Sequence, residues 1–178
     1  EGCVLGNTGG AYNTATTMHG GGVYQDGGSL INVLVAKNTI MAGGGGGVYL
    51  KNASSSLLNV TVCENTAVNA ATSDGVFQEN GVLRNVIAQF NGEIDLIKTG
   101  GTITYSSVGV EPAPSGDGNI VAEPLMPRRA LGDYRLGPGS PGIDAGSNVG
   151  WTAQDVDLDG LPRLKFAACD MGAYEFQG

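Results

Sequence analysis

Gly22-Val23-Tyr24, Gly47-Val48-Tyr49 and Gly75-Val76-Phe77 are one phrase written three times, its starts 25 and then 28 residues apart. A second phrase follows each copy: Leu30-Ile31-Asn32-Val33, Leu57-Leu58-Asn59-Val60 and Leu83-Arg84-Asn85-Val86. A third marker, Asn38, Asn65 and Asn91, comes six residues after the Asn of the second. Markers that keep step at this period are the signature of a stacked repeat. The units are short, rich in Val, Ile, Leu and Tyr, and bounded by Gly, Asn and Ser, which predicts strands and not helices. The expected fold is all-β, a parallel β-helix (solenoid) of about 4–5 coils with a loop-rich C-terminal cap. Residues 1–108 would form the coils, and 109–178 the capping region of the same domain.

Stacking turns the sequence into columns, with equivalent residues about 4.8 Å apart. Val23, Val48 and Val76 are expected to face inward, and Val33, Val35, Val60, Val62 and Val86 to be buried with them. Tyr24, Tyr49 and Phe77, one position on, face outward by strand alternation. Such an aromatic column either stabilises the sheet or offers a flat strip to sugar rings or to a neighbouring molecule. Asp26, Lys51 and Glu79 alternate in sign, as do Lys37 and Glu64, so stacked neighbours attract. Asn38, Asn65 and Asn91 are expected to form an amide ladder.

Lys and Arg number 9 against 17 Asp and Glu, a net charge of −8. That balance argues against nucleic acid and anionic membrane as partners. No stretch of 18 apolar residues occurs, which argues against direct membrane insertion. The sequence opens at Glu1 without an initiator Met or signal peptide, as a processed or excised product would. Cys3-Val4-Leu5-Gly6-Asn7 matches Leu34-Val35-Ala36-Lys37-Asn38, so the chain is expected to enter a coil already in progress. The first coil would then present an uncovered edge at Glu1, Gly2, Cys3 and Val4, an assembly interface for head-to-tail self-association. Cys3, Cys63 and Cys169 are odd in number. They read as buried thiols, or as a bridge from Cys3 to Cys169 of a neighbouring copy. His19 reads as a turn residue, and Gly43–Gly47 as a flexible turn. Asn52-Ala53-Ser54 and Asn59-Val60-Thr61 have the form of glycosylation triplets.

After Asn91 the repeats become irregular, and a different style closes the chain: Ser140-Pro141-Gly142-Ile143-Asp144-Ala145-Gly146, Asp157-Leu158-Asp159-Gly160-Leu161-Pro162-Arg163 and Cys169-Asp170-Met171-Gly172-Ala173-Tyr174-Glu175. These phrases resemble the closing signature of secreted bacterial right-handed β-helix proteins with a choice-of-anchor Q region. Gly21-Gly22-Val23-Tyr24 and Val35-Ala36-Lys37-Asn38 are similar to polymorphic membrane protein repeats. The resemblance implies a right-handed parallel β-helix located outside the cell or at its surface. It covers surface adhesin-like proteins and putative polysaccharide enzymes, so it implies architecture more than activity.

Asp155-Val156-Asp157-Leu158-Asp159-Gly160 matches the opening of a calcium loop, although Phe166 stands where the bidentate Glu would be. Calcium on Asp155, Asp157 and Asp159 is therefore one expectation, and no other cofactor is expected. The resemblance implies a second, in which these acids pair with Arg163 and backbone amides to fold the terminal loop, with Asp170 as a further partner of Arg163. The outward acids Asp26, Glu64 and Glu79 do not stack on one another, whereas glycan hydrolases and lyases need converging carboxylates. No catalytic residue is assigned. The expected role is an extracellular structural or assembly module that stacks into a filament or surface layer. The alternatives are a carbohydrate-binding or polysaccharide-degrading, pectate-lyase-like module using Tyr24, Tyr49 and Phe77, and a cell-surface adhesin fragment.

Overall fold

A computed structural model describes residues 3–6, 14–15, 19–68 and 72–178, the first two stretches as backbone alone. Its strands are β1 (Cys3–Gly6), β2 (Thr14–Ala15), β3 (Val23–Gln25), β4 (Gly28–Ala36), β5 (Thr39–Ile40), β6 (Val48–Leu50) and β7 (Ser55–Cys63). They continue as β8 (Thr66–Ala67), β9 (Val76–Gln78), β10 (Val82–Arg84), β11 (Ile87–Ala88), β12 (Leu96–Lys98), β13 (Thr102–Thr104) and β14 (Ser107–Val108). The largest sheet runs β1-β4-β7-β10-β13, with β11 beside β7 and β14 beside β11. A second sheet is ordered β12-β9-β6-β3 and a third β2-β5-β8, and the registers are parallel throughout. Neighbouring rows repeat the sequence period: Val23 pairs with Val48, Val48 with Val76, and Val33 with Val60.

Parallel all-β structure forms, but the right-handed β-helix of about four to five coils does not, and that expectation is corrected to parallel sheets that include a curled half-barrel. Two local causes are visible. β4 and β7 are nine residues long, each one continuous strand where short strands are expected. Asn32 and Asn59 bend them, at φ 53° and 50°, and Asn85 at φ 57° links β10 to β11 in the same column. Asn tolerates this left-handed conformation better than other branched or bulky residues, so one column of Asn curls the sheet. In addition, the third sheet consists of two-residue strands and ends at β8, so the rows from β9 onward lack that wall.

The core lies between the sheets. Val35, Val48, Leu50, Leu57, Val60, Val62, Val76, Leu83 and Val86 are fully buried there, with Val33 nearly so. The opposite face of the large sheet is covered as well. Leu34, Ala36, Cys63 and Ile87 pack against Met126, Tyr134, Leu136, Met171, Ala173 and Tyr174 from the C-terminal stretch. That stretch contains a 3-10 turn at Arg129–Leu131 and otherwise no named element. Its first part covers the last edge of the large sheet: Ile120 N–H donates to Ser106 O at 2.9 Å, and Val108 N–H to Ile120 O at 3.1 Å. A covered edge removes a template for strand addition.

Candidate functional site

Two columns of asparagine organise the polar interior. In the first, Asn38 Nδ2 donates to Asn65 Oδ1 at 2.9 Å, and Asn65 Nδ2 to Asn91 Oδ1 at 2.9 Å. Each acceptor also takes the backbone N–H of the row before, at 3.0 and 3.1 Å. The series ends on a carboxylate, where Asn91 Nδ2 and N–H both donate to Asp95 Oδ1 at 2.8 Å. Burial raises the Asp95 pKa, opposed by these two hydrogen bonds.

The second column, Asn32, Asn59 and Asn85, points the other way and receives the C-terminal stretch. Asn85 and Ser147 exchange two bonds, Nδ2 to Ser147 O at 2.9 Å and Ser147 N–H to Oδ1 at 2.8 Å. One row on, Trp151 Nε1 donates to Asn59 Oδ1 at 3.0 Å. A further row on, Asn32 Nδ2 donates to Val156 O at 2.7 Å. The segment 147–156 thus crosses the sheet one row at a time. The chain then returns: Asn59 Nδ2 donates to Asp170 O at 2.7 Å, and Gly172 N–H to Asn85 O at 2.8 Å.

Arg163 locks this return. It is fully buried and donates to Asn32 Oδ1 and Ala173 O at 2.6 Å and to Gly172 O at 3.2 Å, with Glu175 Oε2 3.8 Å away. Its side chain is not paired with Asp155, Asp157, Asp159 or Asp170; only its backbone N–H reaches Asp155 O, at 2.9 Å. Asp170 instead accepts the N–H groups of Asp144 and Phe176, at 2.8 and 2.6 Å. Glu175 accepts the N–H of Asp170 at 2.8 Å. Burial pushes Asp170 up to about 6 and Glu175 up to about 7, against the pull of these bonds and of Arg163.

The three acids of the calcium-like phrase do not converge. Asp155 takes Thr152 N–H and Oγ1 at 2.7 Å. Asp157 is buried and takes the N–H groups of Asp159, Leu161 and Glu175 at 2.9, 2.9 and 2.8 Å. Asp159 forms a two-pronged pair with Arg135, both bonds 2.6 Å. Among the described residues no group of three or more His, Cys, Asp or Glu is placed to hold a metal ion. The donor set is spent on the fold and does not fit a calcium loop.

Tyr24, Tyr49 and Phe77 stack with ring centroids 5.5 and 5.0 Å apart, yet they do not form the outward strip expected of them. Tyr24 is 48% exposed but Tyr49 only 6%. His19 lies over Tyr49 at 4.2 Å, and its Nδ1 accepts Gly44 N–H at 3.0 Å. That bond draws the Gly43–Gly47 turn across the column, so close that a Cβ on Gly44 would meet Phe77 at 2.8 Å. Tyr49 donates to Glu79 at 2.6 Å, and Lys51 to the same carboxylate at 2.8 Å. Asp26 is paired with Asn52 and not with Lys51. Lys37 lies 3.6 Å from Glu64, which Arg129 and Tyr134 also hold, at 2.9 and 2.7 Å.

Of the expected assembly interface, Glu1 and Gly2 lie outside the described residues, and Cys3 and Val4 are described only as backbone in β1. Cys63 and Cys169 are both buried, with burial raising each thiol, Cys169 to about 12. Cys169 also donates to Ser147 O at 3.1 Å, so it is not placed to bridge to another copy. Asn59 is fully buried, so its glycosylation-type triplet is closed, whereas Asn52 is exposed.

One cleft was not anticipated. Ile31, Leu58 and Arg84 form its floor and Val149, Gly150, Trp151, Gln154, Asp155 and Val156 its wall, enclosing about 430 Å³. The sequence carries a sign of it, because Arg84 breaks a column that otherwise reads Ile31, Leu58. Comparison with protein-family models, with curated proteins and with solved structures finds no match to this chain.

Proposed function

We propose that the chain is a structural module of the cell exterior, a rigid non-catalytic support made of parallel sheets held by its own C-terminal stretch. The observation that carries the reading is Arg163: a fully buried cation joins the first row of the Asn corner to the backbone of residues 172 and 173. A chain that commits its buried charge to binding its own terminal third is built for persistence of shape. The extracellular setting rests on the likeness of the Ser140–Gly146 and Cys169–Glu175 phrases to secreted proteins. A binding role on the same support is favoured by the cleft beside Trp151.

The test is an assay of the purified chain against a panel of neutral and acidic polysaccharides, followed by release of reducing ends and of unsaturated products. No release is expected from any polymer. Turnover of even one polymer would replace the structural reading with the polysaccharide-degrading one.

A further inference from the structure

The cleft over Arg84 has an uneven distribution of charge. Leu58 is in register with Ile31 on one side and with Arg84 on the other, so the floor reads Ile, Leu, Arg in steps of about 4.8 Å. The wall is held off this floor by the bonds of Trp151 to Asn59 and of Val156 to Asn32. At the Arg84 end the wall comes close, since a Cβ on Gly150 would lie 3.4 Å from the guanidinium. Gly150 itself has φ 90°, which a residue with a side chain rarely adopts.

Each of the other four arginines meets a carboxylate: Arg128 with Asp133 at 3.5 Å, Arg129 with Glu64 at 2.9 Å, Arg135 with Asp159 at 2.6 Å and Arg163 with Glu175 at 3.8 Å. Arg84 meets none among the described residues, and its Nε is buried without a hydrogen-bond partner. In a chain of net charge −8, an unpaired half-buried guanidinium beside the apolar side chains of this cleft is the feature that asks for a ligand. A guanidinium offers a planar fork of donors that matches a carboxylate. Beside the polar Asn32, Gln154 and Asp155, the lining carries Ile31, Leu58, Val149, Trp151 and Val156, which match hydrocarbon.

We propose that this cleft binds a small monocarboxylate with an apolar body, its carboxylate on Arg84 and its body along Leu58 and Ile31. Asp155 lines the opposite end of the cleft, its carboxylate held by Thr152, and sets the direction by repelling the anionic end. From the Arg84 row to the Ile31 row is two row spacings, about 10 Å, which suits a chain of about eight carbons. The enclosed volume lies within the range of small-molecule sites. The inference goes beyond the structural role and does not depend on it.

The experiment is titration of the full chain with octanoate, read by calorimetry and by backbone amide shifts. Octan-1-ol, which lacks the charge, and acetate, which lacks the body, are the comparison probes. Saturable one-to-one binding of octanoate is expected, with octanol and acetate at least tenfold weaker and the shifts centred on residues 31, 58, 84 and 149–156. Arg84→Met should weaken octanoate at least tenfold, and Arg84→Lys less. Val149→Asp provides a second variant: Val149 is 65% exposed, so the new carboxylate repels the ligand at little risk to the fold. Octanol binding as tightly as octanoate would overturn the proposal. So would unchanged affinity in both Arg84→Met and Val149→Asp, or shifts confined to a second cleft of the molecule, one lined by Phe90, Leu125, Met126 and Arg129.

Discussion

Asn38, Asn65 and Asn91 repeat at the same period as Asn32, Asn59 and Asn85, only six residues away, yet the two columns do different work. The first is closed upon itself. Each amide finds its partner in the next row, and a single carboxylate, Asp95, ends the series. The second is open: its amides are left-handed corners whose bonds go mostly to Ser147, Trp151, Val156, Arg163 and Asp170, segments far away in sequence. Backbone conformation separates them. A left-handed corner turns the side chain out of the stack, while the first column points into it, against Gly22, Gly47 and Gly75. Identity and spacing of a residue therefore predict a column, but not which side of the sheet it serves.

The severest way to break this comparison is to remove the charge that ties the open column down. Arg163→Met should cost about 3–5 kcal/mol, the range for breaking a buried ion pair and its hydrogen bonds. It strands Asn32 Oδ1 and the carbonyls of Gly172 and Ala173. A fall in melting temperature is expected, with hydrogen exchange accelerating first in residues 142–176 and only later in the closed column. If exchange rises equally in both regions, the C-terminal stretch is not a separable buttress.

Asn65→Ala attacks the closed column at its middle rung. Asn65 Nδ2 also donates to the carbonyls of Val35 and Cys63, at 3.0 and 3.1 Å, and its loss takes one donor from each of them and from Asn91 Oδ1, and takes Oδ1 from the Nδ2 and N–H of Asn38, in a dry interior. The expected cost is about 2–3 kcal/mol, read from denaturant midpoints at unchanged slope. Asn59→Gly is the companion, because it keeps the corner conformation and removes only the bonds. A loss of cooperativity in the Asn59 variant but not in the Asn65 variant would sharpen the distinction.

The closed column is legible in the sequence, because its partners are its own repeats and the period places them. The corner was visible as a marker, but its meaning was not, since Asn32 meets residues more than 120 positions away. The uniform coil fails for a related reason. The period counts residues per row and does not record that nine-residue strands bend through a left-handed Asn, or that one wall stops at Thr66–Ala67. The alternating Asp155, Asp157 and Asp159 imitate a calcium loop, yet Asx-type bonds to nearby N–H groups use the same alternation. Alternation puts Tyr49 on the outer side of its strand, where a turn that His19 holds from a different row hides it.

The open column should also respond the more strongly to pH, although Asp95 at the end of the closed column is raised in the same direction. Asp170 and Glu175 are raised above their ordinary values, to about 6 and about 7, so the folded chain holds these protons more tightly than the unfolded one. Their contribution is therefore complete below the unfolded values and is lost as pH rises through 6 and 7. Stability should fall by on the order of 2 kcal/mol from pH 5 to pH 8, discounted for the coupling of the two acids through Arg163. Thermal melts across that interval measure it, and Glu175→Gln should remove much of the slope. A chain more stable at pH 8 than at pH 5 would mean that both acids are charged in the fold, Glu175 held by Arg163 and Asp170 by the N–H groups of Asp144 and Phe176.

The smallest effect belongs to a third column, Tyr24, Tyr49 and Phe77, which shares the period but not the dry surroundings of either Asn series. The Tyr49 hydroxyl donates to Glu79, whose side chain is 38% exposed and already held by Lys51. Water can replace the hydroxyl at that carboxylate, so Tyr49→Phe should cost about 1 kcal/mol or less. The ring stays, and with it the stacking on His19 and Phe77. Burial and the Glu79 bond push the Tyr49 hydroxyl up to about 12, which gives the same contact a second readout. In the wild type three phenols, Tyr49, Tyr134 and Tyr174, should ionise late in an alkaline ultraviolet titration because burial raises each of them, and Tyr49→Phe should remove one of the three. A cost near that of Asn65→Ala would show that the aromatic column is as dry as the amide ladder, and that the loop over it seals the sheet rather than merely crossing it.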